Sequence, residues 1–338
     1  MSKKDSELAK ALGLPREVVR RVLAGKAERY GIPAETVERV LREAGASGYE
    51  LANAAHGSRP KGRPAIGVLL TNLSNPFFAR LADAIDELAS KAGYLVLLAG
   101  SGDNLESEKL LVEELRARGA EGLIVAAAGP DYEHLRRLQA EDYPVVLLDR
   151  VFEDFDCDWV AVENQYAACR LVEMLADYGA RRIALIGGQL QASTMRLRLE
   201  GYRAALRHRR FRFDKDLVFL GDFTEVTGIL GAEHLLDLSE PPDAIFCSNN
   251  LIFTGCLDRL AEGPKVPWSY LPIACFDEVP FMAHLGRPLV VASQPERTLG
   301  QRATEFLIER LRSGKPGSRL TKPYKHDLLA VEQKTFGF

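Results

Sequence analysis

Two sets of side chains in this 338-residue chain carry chemistry. The first lies between Asp5 and Lys26, in DSELAKALGLPREVVRRVLAGK. Val18, Val19, Val22 and Leu23 form one apolar stripe at helical spacing, which leaves Arg16, Glu17, Arg20 and Arg21 facing outward. Guanidinium groups on a short exposed helix suit phosphates and, inside a groove, base edges. The second set is scattered: Asn75, Phe77, Asp103, Asp149, Arg150, Arg198, Asn249, Asp277 and Gln294. These residues follow strand-length apolar runs or sit near the start of helical ones. Carboxylates and amides bond sugar hydroxyls in pairs, and an aromatic ring covers the apolar face of the sugar. The planar fork of arginine suits a phosphate or carboxylate, so two arginines at one mouth point to an anionic group, with a neutral sugar as the alternative. A blander reading stands beside each. Asp103 and Asn75 are ordinary loop residues, and Asp149, Arg150 and Arg198 can form buried ion pairs with no ligand at all.

The elements that must position these groups follow from periodicity. Leu8, Ala9 and Leu12 recur at helical spacing until Gly13 breaks the pattern, and Pro15 suits the start of the next helix, where its missing N–H leaves no orphan donor. A third helix opens at Ile32-Pro33, buries Val37, Val40, Leu41 and Ala44, and ends at Gly45. Three helices in so short a segment make a small domain with a thin core, in the layout whose second helix can enter the DNA major groove. Gly48–Pro64 is short of large apolar residues and carries Arg59, Lys61 and Arg63 beside His56, so it reads as a linker. From Ala65 the pattern becomes β-α alternation with continuous apolar strands: Ile66–Leu70, Leu95–Ala99, Leu123–Ala126 and Val145–Leu148. It restarts after Val162 with strands Arg182–Ile186, Leu217–Leu220, Ala244–Phe246, Pro272–Cys275 and a last strand Leu289–Ala292, followed by helix Pro295–Leu311. Two such units imply two lobes, and ligands of such sheets sit outside the carboxyl ends of the strands, here in the cleft between the lobes. The expected division is a head over 1–47, a linker over 48–64, and a body over 65–338. Its first lobe holds 65–161 and 293–325, its second 162–292 and 326–338.

Composition narrows the function classes. The net charge is −3, but residues 1–64 hold thirteen Lys and Arg against eight Asp and Glu, so a basic head sits on an acidic body. Cys157, Cys169, Cys247, Cys256 and Cys275 are scattered in apolar runs without a C-x-x-C spacing, as expected of reduced core thiols in a cytosolic protein. The N-terminus lacks an apolar export signal, and no apolar run is long enough for a membrane span.

Several motifs, in order, resemble the lactose-repressor (LacI/GalR) family of bacterial transcription regulators. They are ELAKALGLPREVVRRVL, IGVLLTNLSNPFF, VVLLDR, IALIGG, RLRLEGYRAAL and the late FDE with Gln294 beyond it. The connection GKAERYGIPAETVERV and the GGQ segment are most similar to the fructose and sucrose repressor branch. The resemblance implies an all-α helix-turn-helix head and an α/β periplasmic-binding-protein-like body of two parallel-sheet lobes. It also implies a cytoplasmic homodimer, or a tetramer, that binds a pseudo-palindromic double-stranded operator and responds to a sugar, sugar-phosphate or sugar-acid effector. In that picture Arg16, Glu17 and Arg21 stand at base-reading positions, while Arg20, Lys26, Arg59, Lys61 and Arg63 meet phosphates. On the first body helix, Leu81, Ala84, Ile85 and Leu88 form a stripe that packs on the sheet, part of it shared with a second copy.

Departures from the family pattern fall in the head and linker. Pro15, Val18, Arg20 and Ala24 occupy places where the family usually has Ser, Thr, Ser and Asn. The hinge Pro-Asn pair falls on Leu51 and Ala52, and the leucine that wedges into the minor groove falls on Ser58, with Gly57 and Pro60 opposing a hinge helix. Weak or absent central kinking of the operator is therefore expected. No P-loop and no G-x-S-x-G elbow is present, Gly187-Gly188 is too short for a dinucleotide fingerprint, and the six histidines show no metal-ligand spacing along the chain. No enzyme, cofactor or metal is therefore expected. The remaining rival is a sugar-binding protein with no DNA role, against which the basic head argues.

Overall fold

In a computed structural model of the chain, residues 3–23, 27, 30–46, 63–152, 154–262, 270–313 and 325–337 are described. They fall into two compact units, split after Arg63.

The first unit contains helices α1 (Lys3–Leu12), α2 (Arg16–Leu23) and α3 (Ala34–Ala46). Gly13 adopts a φ of 63°, a left-handed turn that glycine takes without a Cβ penalty, and Leu14 N–H returns to Ala9 O at 3.1 Å to close α1. Pro15 stands just before α2, its carbonyl accepting from the Val18 and Val19 amides. Leu8, Ala9, Val19, Val22, Ala27, Val40 and Ala44 are buried together, with Leu12, Leu14, Leu23, Ile32 and Val37 packed on them. Of the expected stripes, Leu12, Val18, Leu23 and Val37 are half-buried rather than buried. Leu41, Gly45 and the expected 48–62 linker, with Leu51, Ala52, Gly57, Ser58 and Pro60, lie outside what is described of side chains or backbone.

The second unit has two six-stranded sheets. The first lobe comprises β1 (Ala65–Leu70), α4 (Pro76–Lys91), β2 (Leu95–Gly100), α5 (Leu105–Ala117), β3 (Ala120–Val125), α6 (Glu133–Ala140), β4 (Val145–Leu148) and β5 (Asp158–Val162). The chain then enters the second lobe through α7 (Asn164–Asp177), β6 (Ile183–Gly187), α8 (Ser193–His208), β7 (Val218–Leu220), α9 (Glu225–Leu236), β8 (Ala244–Cys247), α10 (Asn250–Glu262), β9 (Ile273–Phe276) and β10 (Leu289–Ser293). It returns as α11 (Glu296–Ser313) and β11 (His326–Leu329), then crosses a third time to β12 (Glu332–Phe336). Strand orders are β11-β5-β4-β3-β1-β2 and β12-β10-β9-β8-β6-β7, so the two lobes repeat one topology.

The central strands are buried on both faces, which is why they read as unbroken apolar runs. In β1, Ile66, Val68 and Leu70 pack toward α4 and α11, while Leu69 joins Val112, Leu115 and Leu135 on the opposite face. Leu81, Ala84 and Ile85 are buried as expected, and Leu88 is half-buried.

Three strands correct the sequence reading. Residues 158–162 form β5, and Leu289–Ser293 is not the last strand. Residues 326–329 belong to the first lobe, where β11 pairs in parallel with Trp159–Val162, so the final crossing falls at 330–331 rather than at 326. β12 lies antiparallel to β10, so the second sheet is not wholly parallel. These are edge or near-edge segments. HDLL and EQKTF are short and polar because edge strands bury little and are protected by charge, which erases the apolar signal.

Candidate functional site

The repeated topology aims two aspartates at one place. Asp149 directly follows β4 and Asp277 directly follows β9, the equivalent strand of the other lobe. Both take left-handed backbone conformations, with φ of 66° and 74°, and Asp103 beyond β2 does the same at 57°. Each such turn costs of order 1–3 kcal/mol for a non-glycine residue, a strain that concentrates at functional sites. Neighbouring strands hold them there: Asp149 N–H donates to Val160 O at 2.9 Å, and Asp277 N–H donates to Ala292 O at 3.0 Å.

Arg198 projects from the second turn of α8 and is almost wholly buried. Its Nε donates to Asn164 Oδ1 at 2.9 Å, its Nη1 donates to Ser248 O at 2.6 Å, and its guanidinium lies 3.6 Å above the Phe276 ring. Arg150, next to Asp149, donates from Nη1 to Asp103 Oδ1 at 2.5 Å and to Ala127 O at 3.1 Å. Its guanidinium faces Phe223 of the other lobe at 5.4 Å. Asn75 caps α4 by accepting from Phe77 N–H at 2.9 Å, and the same oxygen accepts from Asn250 Nδ2 across the cleft at 2.9 Å. Asn249 Oδ1 accepts from Ile252 N–H at 2.9 Å at the start of α10, and Gln294 Nε2 donates to Asp277.

All nine residues singled out in the sequence line one cavity between the lobes. Four more were missed: Asn72, Phe78, Thr194 and Phe223. Asn72 and Phe223 lie just beyond β1 and β7, and Thr194 is in the first turn of α8, so the rule that found the nine reaches these as well. Phe78 packs edge-on against Phe77, centroids 5.0 Å apart.

Burial dominates the electrostatics. It pushes the Asp277 carboxyl up to about 6, against the opposing pull of Arg198 and the Gln294 amide. Burial also raises Asp149, again opposed by Arg198 and Arg150, and burial lowers Arg198, which Asp277 and Asp149 partly restore. Three carboxylates thus face two guanidinium groups, and each guanidinium already has protein partners. Arg150 is already paired with Asp103 and Arg198 is held by neutral oxygens, so an anionic group in the cavity competes with protein partners for both. Asp149 Oδ1, Arg150 Nε and Gln294 Oε1 are buried with no hydrogen-bond partner. Such groups cost about 1–3 kcal/mol each when left unmet, so the cavity is prepared for a ligand with donors and acceptors close together.

The cationic set lies in the other unit. On α2, Glu17 accepts from Arg20 at 2.7 Å and from Arg21 at 3.1 Å, and the Arg21 guanidinium stacks 3.8 Å from the Tyr30 ring. Arg16 is exposed and makes no such ion pair among the described residues. Arg63 is exposed, while Lys26, Arg59 and Lys61 lie outside the described residues.

Residues 63–328 match the family of periplasmic binding proteins and sugar-binding domains of the LacI family. The HTH-type transcriptional repressor PurR of Vibrio atlanticus is 26% identical over 250 residues, covering 73% of this chain and 74% of its own. The ribose operon repressor of Haemophilus influenzae is 26% identical over 280 residues, covering 82% and 84%. Among solved structures, the Cra transcriptional dual regulator of Pseudomonas putida, in complex with fructose 1-phosphate, is similar with a TM-score of 0.73. It is 25% identical and covers 80% of this chain and 98% of its own.

Proposed function

This chain belongs to the family of periplasmic binding proteins and LacI-type sugar-binding domains, and from that premise we propose a DNA-binding transcriptional repressor controlled by a sugar-type effector. The relatives that carry the reading are repressors by name, and they align over most of both chains. The head serves as a helix-turn-helix module, with Arg16, Glu17 and Arg21 toward base edges and Arg20, Lys26, Arg59, Lys61 and Arg63 toward phosphates. The Glu17 pairs are exposed i,i+3 and i,i+4 contacts screened by solvent, so a phosphate or base edge displaces them easily. A homodimer on a pseudo-palindromic operator in the cytoplasm completes the proposal.

The effector occupies the interlobe cavity. The observation that carries this is the convergence of orphaned buried donors and acceptors, Asp149 Oδ1 and Arg150 Nε from the first lobe and Gln294 Oε1 from the crossover. Hydroxyl groups, which donate and accept at once, satisfy all three. The surplus of carboxylate over guanidinium favours a neutral polyhydroxylated ligand such as a pentose or hexose. A sugar phosphate is the second reading, favoured by the ligand of the Cra structure. It requires Arg150 to leave Asp103 for the phosphate.

Thermal unfolding of the full chain with ribose, fructose, fructose 1-phosphate and sugar acids tests this. A neutral sugar that raises Tm and changes operator affinity supports the first reading, and a response confined to phosphates selects the second. No response to any of them removes the effector assignment. Titration with random-sequence DNA at rising salt tests the head: a repressor shows a steep negative slope of log K against log salt, and a flat response leaves a sugar-binding protein without a DNA role.

A further inference from the structure

Cys169 and Glu173 stand four residues apart on α7 and so face the same way, and His208 ends α8 beside them. None of the three lines the interlobe cavity. Cys169 Sγ lies 3.7 Å from Glu173 Oε1 and 3.8 Å from His208 Nδ1, and that nitrogen lies 2.9 Å from the same carboxylate oxygen. The histidines show no metal-ligand spacing along the chain, yet the fold brings one of them to a thiol and a carboxylate. Among the described residues this is the one group of three or more potential ligands whose donor atoms all lie within 4.8 Å of one another.

Sulfur, imidazole nitrogen and carboxylate oxygen are the donors that Zn²⁺ takes, at about 2.3, 2.0 and 2.1 Å, and a tetrahedron of that size sets them about 3.4–3.6 Å apart. The observed triangle has a circumscribed radius of about 2.0 Å, so one point near its plane reaches all three atoms at ligating distance. The backbone makes this possible at Gly201. A Cβ there would run into Gln165 O, Ala168 Cβ and Cys169 N, so the missing side chain lets α8 lie close on α7 and carries His208, two turns later, to Cys169. Arg170 holds the other oxygen of Glu173, Oε2, which leaves Oε1 turned toward the sulfur and the ring. The Glu173 side chain is largely buried and that of His208 is 61% exposed, so a cation arrives from the solvent side.

We propose that Cys169, Glu173 and His208 form a site for one divalent cation of the Zn²⁺ class, with its fourth position open to solvent. Thiolate and carboxylate together balance the charge of the ion, while the Arg170 guanidinium on Glu173 Oε2 competes for the carboxylate and weakens the site. The ion staples α7 to α8, the helix pair that holds Arg198 at the interlobe cavity through its bond to Asn164.

Co²⁺ titration of the full chain, with a non-thiol reductant present, tests the site. One equivalent with half-saturation at micromolar Co²⁺ and a thiolate-to-cobalt charge-transfer absorption, displaced by Zn²⁺, is expected. Cys169→Ser abolishes the band, His208→Ala weakens binding at least tenfold, and Cys157→Ser, at a buried thiol elsewhere, leaves both unchanged. Should Cys169→Ser fail to fold, the exposed His208→Ala decides alone. Absence of the band up to millimolar Co²⁺, its survival in Cys169→Ser, or unchanged binding in His208→Ala overturns the proposal.

Discussion

Replacing Asp277 by Asn probes the conflict between stability and function in the interlobe cavity. Asparagine has nearly the same shape and tolerates the left-handed φ of 74°. The Asp277 carboxyl has an ordinary value of 3.8 and is pushed up to about 6 in the folded chain by burial. Folding therefore takes up a proton, and the contribution of this group to stability is full below pH 4 and is lost as pH rises through 6. At about 1.4 kcal/mol for each pH unit of displacement, the charged form costs the folded state about 3 kcal/mol at pH 7.5. Asp277→Asn removes that cost. At roughly 2 °C per kcal/mol for a body of this size, the variant melts about 6 °C above the parent at pH 7.5 and within a degree or two of it at pH 4. Other carboxylates titrate over the same range, Asp149 in the same sense and Glu173 and Glu278 in the opposite one, so the difference between the two profiles is the quantity that isolates Asp277. The gain in stability accompanies a loss of sugar response, since an amide cannot offer two acceptor oxygens to hydroxyl donors. Thermal melts of both proteins from pH 4 to 8, with and without sugar, make the measurement. A variant no more stable than the parent at pH 7.5, or a gap that shrinks as pH rises, would refute the reasoning.

Arg150→Ala breaks the 2.5 Å pair with Asp103 and the contact with Phe223, and it is expected to abolish any sugar-induced thermal shift while operator binding persists. Because Asp103 keeps some access to water, the stability loss falls near or below the low end of the about 3–5 kcal/mol seen when buried pairs lose one partner. Arg198→Ala is the harsher change: it strands Asp149 and Asp277 without their shared cation, and unfolding measurements should show the upper end of that range. In the head, Arg16→Ala is expected to cost about 1–3 kcal/mol of operator affinity and to relax preference at one base pair, whereas Arg20→Ala weakens all sequences alike and lowers the salt slope by about 1. Circular-permutation assays of the operator complex should show little central bend, since Ser58 stands where an apolar wedge would unstack the central step. A strong central bend contradicts that expectation.

The central strands were legible because burial on both faces leaves unbroken apolar runs such as IGVLL and VVLL. The strand-end residues were legible because parallel α/β topology fixes where ligand groups must stand. What the sequence hides is pairing. Asp103 and Arg150 are 47 residues apart, and nothing local says that one neutralises the other. Likewise Cys169 and Glu173 share a helical face that the sequence shows, but His208 reaches them only through the tight α7–α8 packing at Gly201. Edge strands escape for the opposite reason: β11 and β12 bury so little that their pattern is polar, and only the register with Trp159–Val162 and with Leu289–Ser293 defines them.

The same pairing explains how a small polar ligand can move the lobes. Arg198 is anchored wholly within the second lobe, by Asn164, Ser248 and Phe276, and the hydrogen bonds of Arg150 lie wholly within the first. Closure therefore rests on weaker links across the cleft: Asn250 to Asn75, Arg80 to the Glu278 carbonyl at 3.2 Å, Val151 N–H to Ser193 Oγ at 3.3 Å, and Arg150 against Phe223. Each such link contributes about 1 kcal/mol, up to about 3 where the donor is charged. Against them stand two buried carboxylates, Asp149 and Asp277, that repel as the lobes approach. On the proposed reading, the ligand acts by shifting the balance between these opposing terms. Reversing a 99:1 preference takes about 5.5 kcal/mol of differential binding. Three orphaned polar atoms at about 1–3 kcal/mol each, satisfied by the bound ligand, supply an amount of that order. A mutation that strengthens a cross-cleft link should then mimic the ligand, and one that removes the Asn75–Asn250 bond should raise the sugar concentration needed for half-response without changing the maximum response.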